Sequence, residues 1–135
     1  MANIMTYGNA PGYNDSATVL ASAARVATPT AQVFNNVTCS GIHVIVDVTA
    51  TAATPSMVVT ISGVDPVSGA FYTILASAAF TNSTGAETRV LKVFPGATAA
   101  TNLAANNFIP KSFQISFVHA DADSITYSVG IHFLR

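Results

Sequence analysis

Hydrophobic and polar residues alternate along most of this chain, and the alternation is clearest in residues 41–80. Every second residue in the first part of this stretch is aliphatic, which places these side chains on one face of a β-strand: Ile42, Val44, Val46 and Val48. The same period continues from Ser56 to Val64 and again from Phe71 to Ala76. We predict three successive strands here, with the rest of the domain built around them.

A turn separates the second and third of these strands, with the sequence Asp65-Pro66-Val67-Ser68-Gly69. Proline fixes φ at the second turn position, and the aspartate side chain caps the turn. Glycine accepts the positive φ that a bulged hairpin requires. Asp65, Pro66 and Gly69 are therefore the predicted residues of a hairpin turn.

Five further strands follow from the same alternation: residues 18–27, 31–38, 87–94, 111–119 and 125–135. The alanine content of the first of these also permits a helix, but its Thr and Val residues and the nearby Pro29 favour a strand. Residues 97–110 are rich in alanine and permit one helical turn or a short helix before Asn106. Asp121 and Asp123 predict a capped hairpin turn between the last two strands.

Strands at this close spacing predict one antiparallel β-sandwich or jelly-roll-like domain of about seven or eight strands over residues 17–135. Residues 1–16 show neither a strand nor a helix period, and we interpret them as an extended N-terminal arm. Apolar and aromatic side chains in this arm are candidate anchors on a neighbouring protein: Ile4, Met5, Tyr7 and Tyr13. Such side chains are uncommon in truly disordered segments. A disordered terminus is the alternative.

The surface implied by the composition is unusual, because charged residues make up 8% of the chain against roughly 25% in soluble domains. We therefore expect neighbouring subunits to cover part of it, as in a homo-oligomer. The net charge of −1 gives no basic footprint for nucleic acid. No apolar run reaches the roughly 18 residues of a membrane-spanning helix. The single Cys39 and the absence of a secretory signal are compatible with synthesis in a reducing cytoplasm.

Catalytic chemistry is not expected from the residues present, and neither is a cofactor or metal site. Glu87 is the only glutamate. His43 and Asp47 share a strand face, but four residues along a strand span about 13 Å, too far for a hydrogen-bonded dyad. The run from His119 to Ser124 lacks the glycine and distal glutamate of a calcium loop, which favours turn-capping roles for Asp121 and Asp123. No zinc-type spacing links the three histidines.

Three phrases of the sequence carry a family resemblance: VLASAARVAT, VDPVSGAFYTILASAAF, and the long run from RVLKVFPGATAATNL to HADADSITYSVGIHFL. Together they resemble a family of small proteins encoded in the structural modules of tailed-bacteriophage genomes. The similarity extends over nearly everything after Thr18 and leaves out the N-terminal arm.

What the resemblance implies is a structural virion protein of the head decoration or cement type. Such a protein binds the assembled head, and we expect a homotrimer that contacts major capsid subunits at the capsid surface, made in the cytoplasm of the host bacterium. A tail, head-fibre or baseplate component is the alternative among virion proteins. A carbohydrate-binding adhesion module is the alternative outside that class, although it would require exposed aromatic platforms and the chain contains no tryptophan.

Overall fold

The computed structural model describes residues 4–7, 15–36 and 39–135. All regular secondary structure in these ranges is β-strand, and the strands form two sheets packed as a β-sandwich. The strands are β1 (Ile4–Tyr7), β2 (Asp15–Arg25), β3 (Gln32–Asn36), β4 (Gly41–Thr51), β5 (Ser56–Val64), β6 (Phe71–Ala76), β7 (Phe80–Thr81), β8 (Glu87–Phe94), β9 (Ala104–Asn106), β10 (Ser112–His119) and β11 (Ile125–Leu134).

The predicted all-β class is confirmed, and the eight strands read from the sequence are all present as β2–β6, β8, β10 and β11. The three additional strands, β1, β7 and β9, contain four, two and three residues. Strands this short do not establish a period of two, so alternation alone does not reveal them.

Each sheet is built around one strand of the stretch that dominates the sequence pattern. Sheet A has the order β1-β3-β10-β5-β6, and β7 pairs with the first residues of β5. Sheet B has the order β2-β11-β4-β8-β9. The chain therefore passes from one sheet to the other between β4 and β5, and the two strands lie near the middle of opposite layers.

The core lies between the sheets and consists of the apolar residues at alternate strand positions. Val44 and Val46 of sheet B, like Val59 and Ile61 of sheet A, have no exposed surface. Aromatic side chains join the layers at two levels. Phe34 stacks on Phe113 in its own sheet at 4.9 Å between ring centroids and meets Phe133 of the other sheet edge-on at 6.2 Å. The ring centroid of Phe117 in sheet A lies 6.4 Å from that of Tyr127 in sheet B.

The helical turn or short helix that the alanine content of residues 97–110 permits is contradicted, because this segment forms β9 and a turn. Ala104–Asn106 pairs in parallel with Lys92–Phe94 of β8, and Asn102 adopts a left-handed φ of 60°. The backbone hydrogen bonds offered by the edge of β8 outweigh the helix preference of alanine, which is a weak prior.

The expected hairpin at Asp121 and Asp123 is also wrong in its topology. The turn exists, but it joins β10 of sheet A to β11 of sheet B, so the two strands do not pair with each other. Each of the two strands buries one face. This pattern fits two paired strands of a hairpin, and it fits equally well two strands that face each other from opposite sheets. Alternation therefore predicted the strands correctly and could not supply their partners.

Part of the predicted N-terminal arm belongs to sheet A. Residues Ile4–Tyr7 form β1, which runs parallel to β3 with Ile4 opposite Val33 and Tyr7 opposite Asn36. Tyr13 lies outside the described residues. β2 begins at Asp15, two residues before the domain boundary predicted from the sequence.

Candidate interaction site

The hairpin predicted at Asp65–Gly69 is confirmed and projects from one end of the sandwich between β5 and β6. The Asp65 carboxylate accepts hydrogen bonds from the backbone N–H of Val67 at 2.8 Å and from the Ser68 hydroxyl at 2.9 Å. These bonds lower the pKa of Asp65. Gly69 has a φ of 75°, and its N–H donates to the Asp65 carbonyl at 2.9 Å. The turn is therefore held by its own side chain and presents Val67, 94% exposed, at its tip.

An apolar pocket of about 340 Å³ lies beside this hairpin. Its aromatic walls are Tyr72 of β6 and Phe108 of the loop between β9 and β10, and the complete lining is Asn35, Val64, Pro66, Tyr72, Phe108, Pro110, Lys111 and Ser112. The loop is anchored by Ile109, which is buried and whose N–H donates to the Ser40 carbonyl at 2.9 Å. Phe108 is thus held at the surface by a neighbour that belongs to the core.

Exposed apolar side chains are concentrated at the same end. Seven large hydrophobic side chains are exposed among the described residues: Val26, Val67, Phe71, Tyr72, Leu103, Phe108 and Val118. Val67, Phe71, Tyr72 and Phe108 lie on the hairpin or line its pocket, and we call these four side chains the hairpin-end patch. Exposed apolar side chains gathered at one end of a domain mark interaction sites in soluble proteins.

Most of the charged side chains near the core are used within the fold. The Arg89 guanidinium pairs with Glu87, donates to the Ala78 carbonyl at 2.7 Å, and lies over the Phe80 ring at 3.8 Å from its centroid. Asp47 accepts from the Thr88 hydroxyl at 2.9 Å. These contacts leave a surface made largely of Ser, Thr, Ala and Asn.

The turn residues Asp121 and Asp123 have the capping roles predicted for them. Asp121 accepts from the Asp123 N–H at 3.0 Å. Asp123 in turn accepts from the N–H of Thr54 at 3.0 Å and from its hydroxyl at 3.1 Å. The β10–β11 connection is therefore fastened to the β4–β5 connection, so that these two of the crossovers between the sheets close the same end of the sandwich.

A polar cluster lies at that end, opposite the hairpin. Tyr127 Oη of sheet B is hydrogen-bonded to His119 Nε2 of sheet A at 3.0 Å. The Arg25 guanidinium lies 4.6 Å from the centre of the Tyr127 ring and donates to the Tyr127 carbonyl at 2.7 Å. Burial raises the pKa of Tyr127 to about 12, and burial together with Arg25 lowers the pKa of His119. The cluster joins the two sheets.

Other sequence candidates are separated in the fold. His43 and Asp47 lie on β4 and are not bonded to each other, and Cys39 is buried. Over the described ranges, no group of three or more histidine, cysteine or acidic residues is arranged to hold a metal ion. The same residues include no helix long and apolar enough to cross a bilayer. Of the arm anchors, Ile4, Met5 and Tyr7 are in β1, while Tyr13 falls outside the description.

The sequence identified the hairpin but missed the pocket beside it. Tyr72 and Phe108 are 36 positions apart along the chain, so no local pattern links the two aromatic walls of the pocket. The only local signal was Phe108 itself, a large aromatic residue between Asn107 and Ile109 in a segment otherwise rich in alanine and asparagine. Searches of protein-family models, of curated proteins and of solved structures found no match to this chain.

Proposed function

We propose that this protein is a structural virion protein of a tailed bacteriophage, a decoration or cement protein that binds the assembled head. Its partner is the major capsid protein, and it acts as a homotrimer on the outer surface of the capsid. The observation that carries the proposal is the combination of an almost uncharged surface with the hairpin-end patch. A chain of this kind gains more from contact with protein neighbours than from exposure to water. The resemblance described above supports the choice of neighbour.

Stabilisation of the head follows from linkage. A protein that binds the assembled lattice, and not the free capsid subunits, lowers the free energy of the lattice by mass action. Three linked copies of one weak site raise the overall affinity because the second and third contacts form at a high effective concentration. Val67, on a turn fixed by Asp65, and Phe108, fixed by the buried Ile109, are rigid apolar anchors that lose little conformational freedom on binding.

The decisive experiment uses heads from a phage genome that lacks this gene. Purified protein is added to these heads, and bound protein is measured by mass spectrometry after sedimentation. We expect saturable binding, and we expect Phe108→Ser to weaken it by more than about tenfold, the loss that follows from removing a central anchor. Val26→Ser is the matched control, because Val26 is as exposed as Phe108, at 56% against 58%, and directly follows the last residue of β2. Sedimentation of the protein with tails alone would contradict the proposal and favour the tail or baseplate alternative.

A carbohydrate-binding function is the second candidate, and the aromatic walls of the pocket favour it. Tyr72 and Phe108 offer two aromatic faces, and Asn35, Lys111 and Ser112 offer hydrogen-bonding groups at the same pocket. A glycan array distinguishes the two candidates. Saturable binding to one class of glycan that Tyr72→Ala abolishes would support the adhesion module and contradict the assignment of the pocket to capsid contact.

A further inference from the structure

Three basic side chains stand in one row across the outer face of sheet B. His132 of β11 lies directly opposite His43 of β4, and His43 lies directly opposite Lys92 of β8 on its other side. Ser16 of β2 continues the row beyond His132. The sequence separates the two histidines by 89 positions, and only the antiparallel register brings them together.

The two imidazoles border a common space. Residues paired across antiparallel strands have Cβ atoms about 4.5–5.5 Å apart, so that two side chains on the same face can converge on one point. His43 and His132 both line a cavity of about 240 Å³, together with Phe133 and Leu134. Phe94 lies beside the His43 ring, with centroids 6.0 Å apart, and restricts its orientation. The space is large enough for an ion with its water ligands, at about 30 Å³ for each water.

Imidazole nitrogen is the ligand that the row offers to a metal ion. A neutral imidazole has a lone pair that binds transition metals, and histidine is the commonest protein ligand for them. Lys92 opposes a cation, but its exposed and flexible side chain can move its ammonium group away from the cavity.

We propose that His43 and His132 form a surface site for a divalent transition-metal ion such as Zn²⁺ or Ni²⁺, with water in the remaining coordination positions. The protein supplies two ligands here, whereas a structural zinc site has four protein ligands. We therefore expect the bound ion to exchange with ions in solution and to have no structural role. The proposal is independent of the function proposed above, because the outer face of sheet B contains none of the hairpin-end patch.

The experiment is isothermal titration of the full chain, prepared without a polyhistidine tag, with ZnCl₂ and separately with NiCl₂ at pH 7.5. We expect saturable binding of one ion per chain. His43→Asn and His132→Asn should each weaken it by more than about tenfold, because removal of even a supporting group at a metal site commonly costs 10–100-fold. Lys92→Gln should strengthen binding modestly, since it removes the lysine charge that opposes a cation in the row.

His119→Asn is the matched control, because His119 lies on β10 of the other sheet and is bonded to Tyr127. It should bind both ions as the wild type does. Without metal, His43→Asn and His132→Asn should melt close to the wild-type temperature, since both side chains lie on the outer face of the sheet. Added Zn²⁺ should raise the melting temperature only of proteins that retain both histidines. Binding that survives His43→Asn, or that His119→Asn removes equally, would overturn the site. A response to phosphate that outweighs the response to metal would show that the row binds anions instead.

Discussion

The aromatic ring of Tyr72 lies over Gly63, its partner across the β5–β6 hairpin. A Cβ atom at Gly63 would lie 2.7 Å from Cε1 of the ring and closer still to its hydroxyl end. Because Gly63 has no side chain, the Tyr72 ring can occupy the space above it, where it forms one wall of the apolar pocket.

Gly41 of β4 is also closely approached, but by the backbone of β8. A Cβ atom there would lie 2.7 Å from the Val93 carbonyl oxygen and 2.9 Å from Cα of Phe94.

We expect these two glycines to respond differently to alanine. Gly63→Ala should change the free energy of unfolding by no more than about 1 kcal/mol, because the tyrosine ring can swing outward and alanine restricts the unfolded chain. Gly41→Ala should cost more than about 2 kcal/mol, because backbone atoms of β8 cannot move without separating the strands. Chemical denaturation of both variants measures the difference. A smaller loss for Gly41→Ala than for Gly63→Ala would show that the close approach of β4 and β8 is not as described.

The hairpin turn makes a second stability prediction. Gly69→Val should cost more than about 1 kcal/mol, because a β-branched residue resists the φ of 75° found there. A Cβ atom at this position would meet nothing within 4 Å, so the loss would come from the backbone alone. Gly69→Asn is the control, since asparagine tolerates the left-handed region and should lose less. Equal melting temperatures for wild type and Gly69→Val would contradict the strained turn.

The sequence was most informative where structure is local. The D-P-x-x-G order gave both the turn and the positive φ of Gly69, because each residue there acts through its own backbone preference. Alternation gave the eight longer strands, because each buries one face. It did not reveal that β10 and β11 lie in opposite sheets, since a buried face does not identify what covers it. The alanine-rich segment before Asn106 permitted a helix but contains β9, for the related reason that pairing with β8 overrides propensity.

The candidate sites depend on contacts distant in sequence, and this is why they escaped prediction. Tyr72 and Phe108 line one pocket only because the loop after β9 folds back to the β5–β6 hairpin. His43 and His132 meet only through the register of β4 and β11. A search for zinc-type spacing along the chain finds ligands on one helix or one turn, and it has no means of finding a pair on neighbouring strands.

The stability of the fold should decrease between pH 7.5 and pH 5.0, a range that lies above the ordinary pKa of carboxylates. Burial and Arg25 lower the pKa of His119 below its ordinary 6.5, although Asp121 acts in the opposite sense, and burial with Lys92 and His132 lowers the pKa of His43. The unfolded chain therefore binds protons more tightly, so the stabilisation is complete above about pH 6.5 and is lost as the pH falls through the folded-state pKa. Thermal unfolding at pH 7.5 and pH 5.0 should show a lower midpoint at pH 5.0. His119→Gln and His43→Gln should each reduce this difference, and a double variant as pH-dependent as the wild type would contradict the assignment.

Association in solution tests the interpretation of the sparse charge. We expect sedimentation equilibrium at micromolar concentration to give a mass three times the 13.9 kDa of one chain. Because only 8% of residues are charged, the association should rest on apolar and hydroxyl surfaces and change little between 0.05 and 0.5 M NaCl. A stable monomer under these conditions would contradict the free homotrimer. Strong weakening by salt would show that ion pairs hold the subunits together.

The N-terminal segment provides the last test, because its two roles predict different results. As a free arm that folds only on a partner, it should be removable without loss of stability. The pairing of Ile4–Tyr7 with β3 leads us to expect otherwise. Deletion of residues 1–14 should lower the free energy of unfolding by about 1–2 kcal/mol, since it removes a few net hydrogen bonds and leaves β3 as the edge of sheet A. Deletion of residues 1–3 is the control, because it precedes β1 and should leave the stability unchanged. If the longer deletion melts at the wild-type temperature yet no longer binds heads, Ile4, Met5, Tyr7 and Tyr13 act as partner anchors and the contribution of β1 to the sandwich is refuted. If it melts lower and binds heads fully, the segment is a strand of sheet A and the anchor role is refuted.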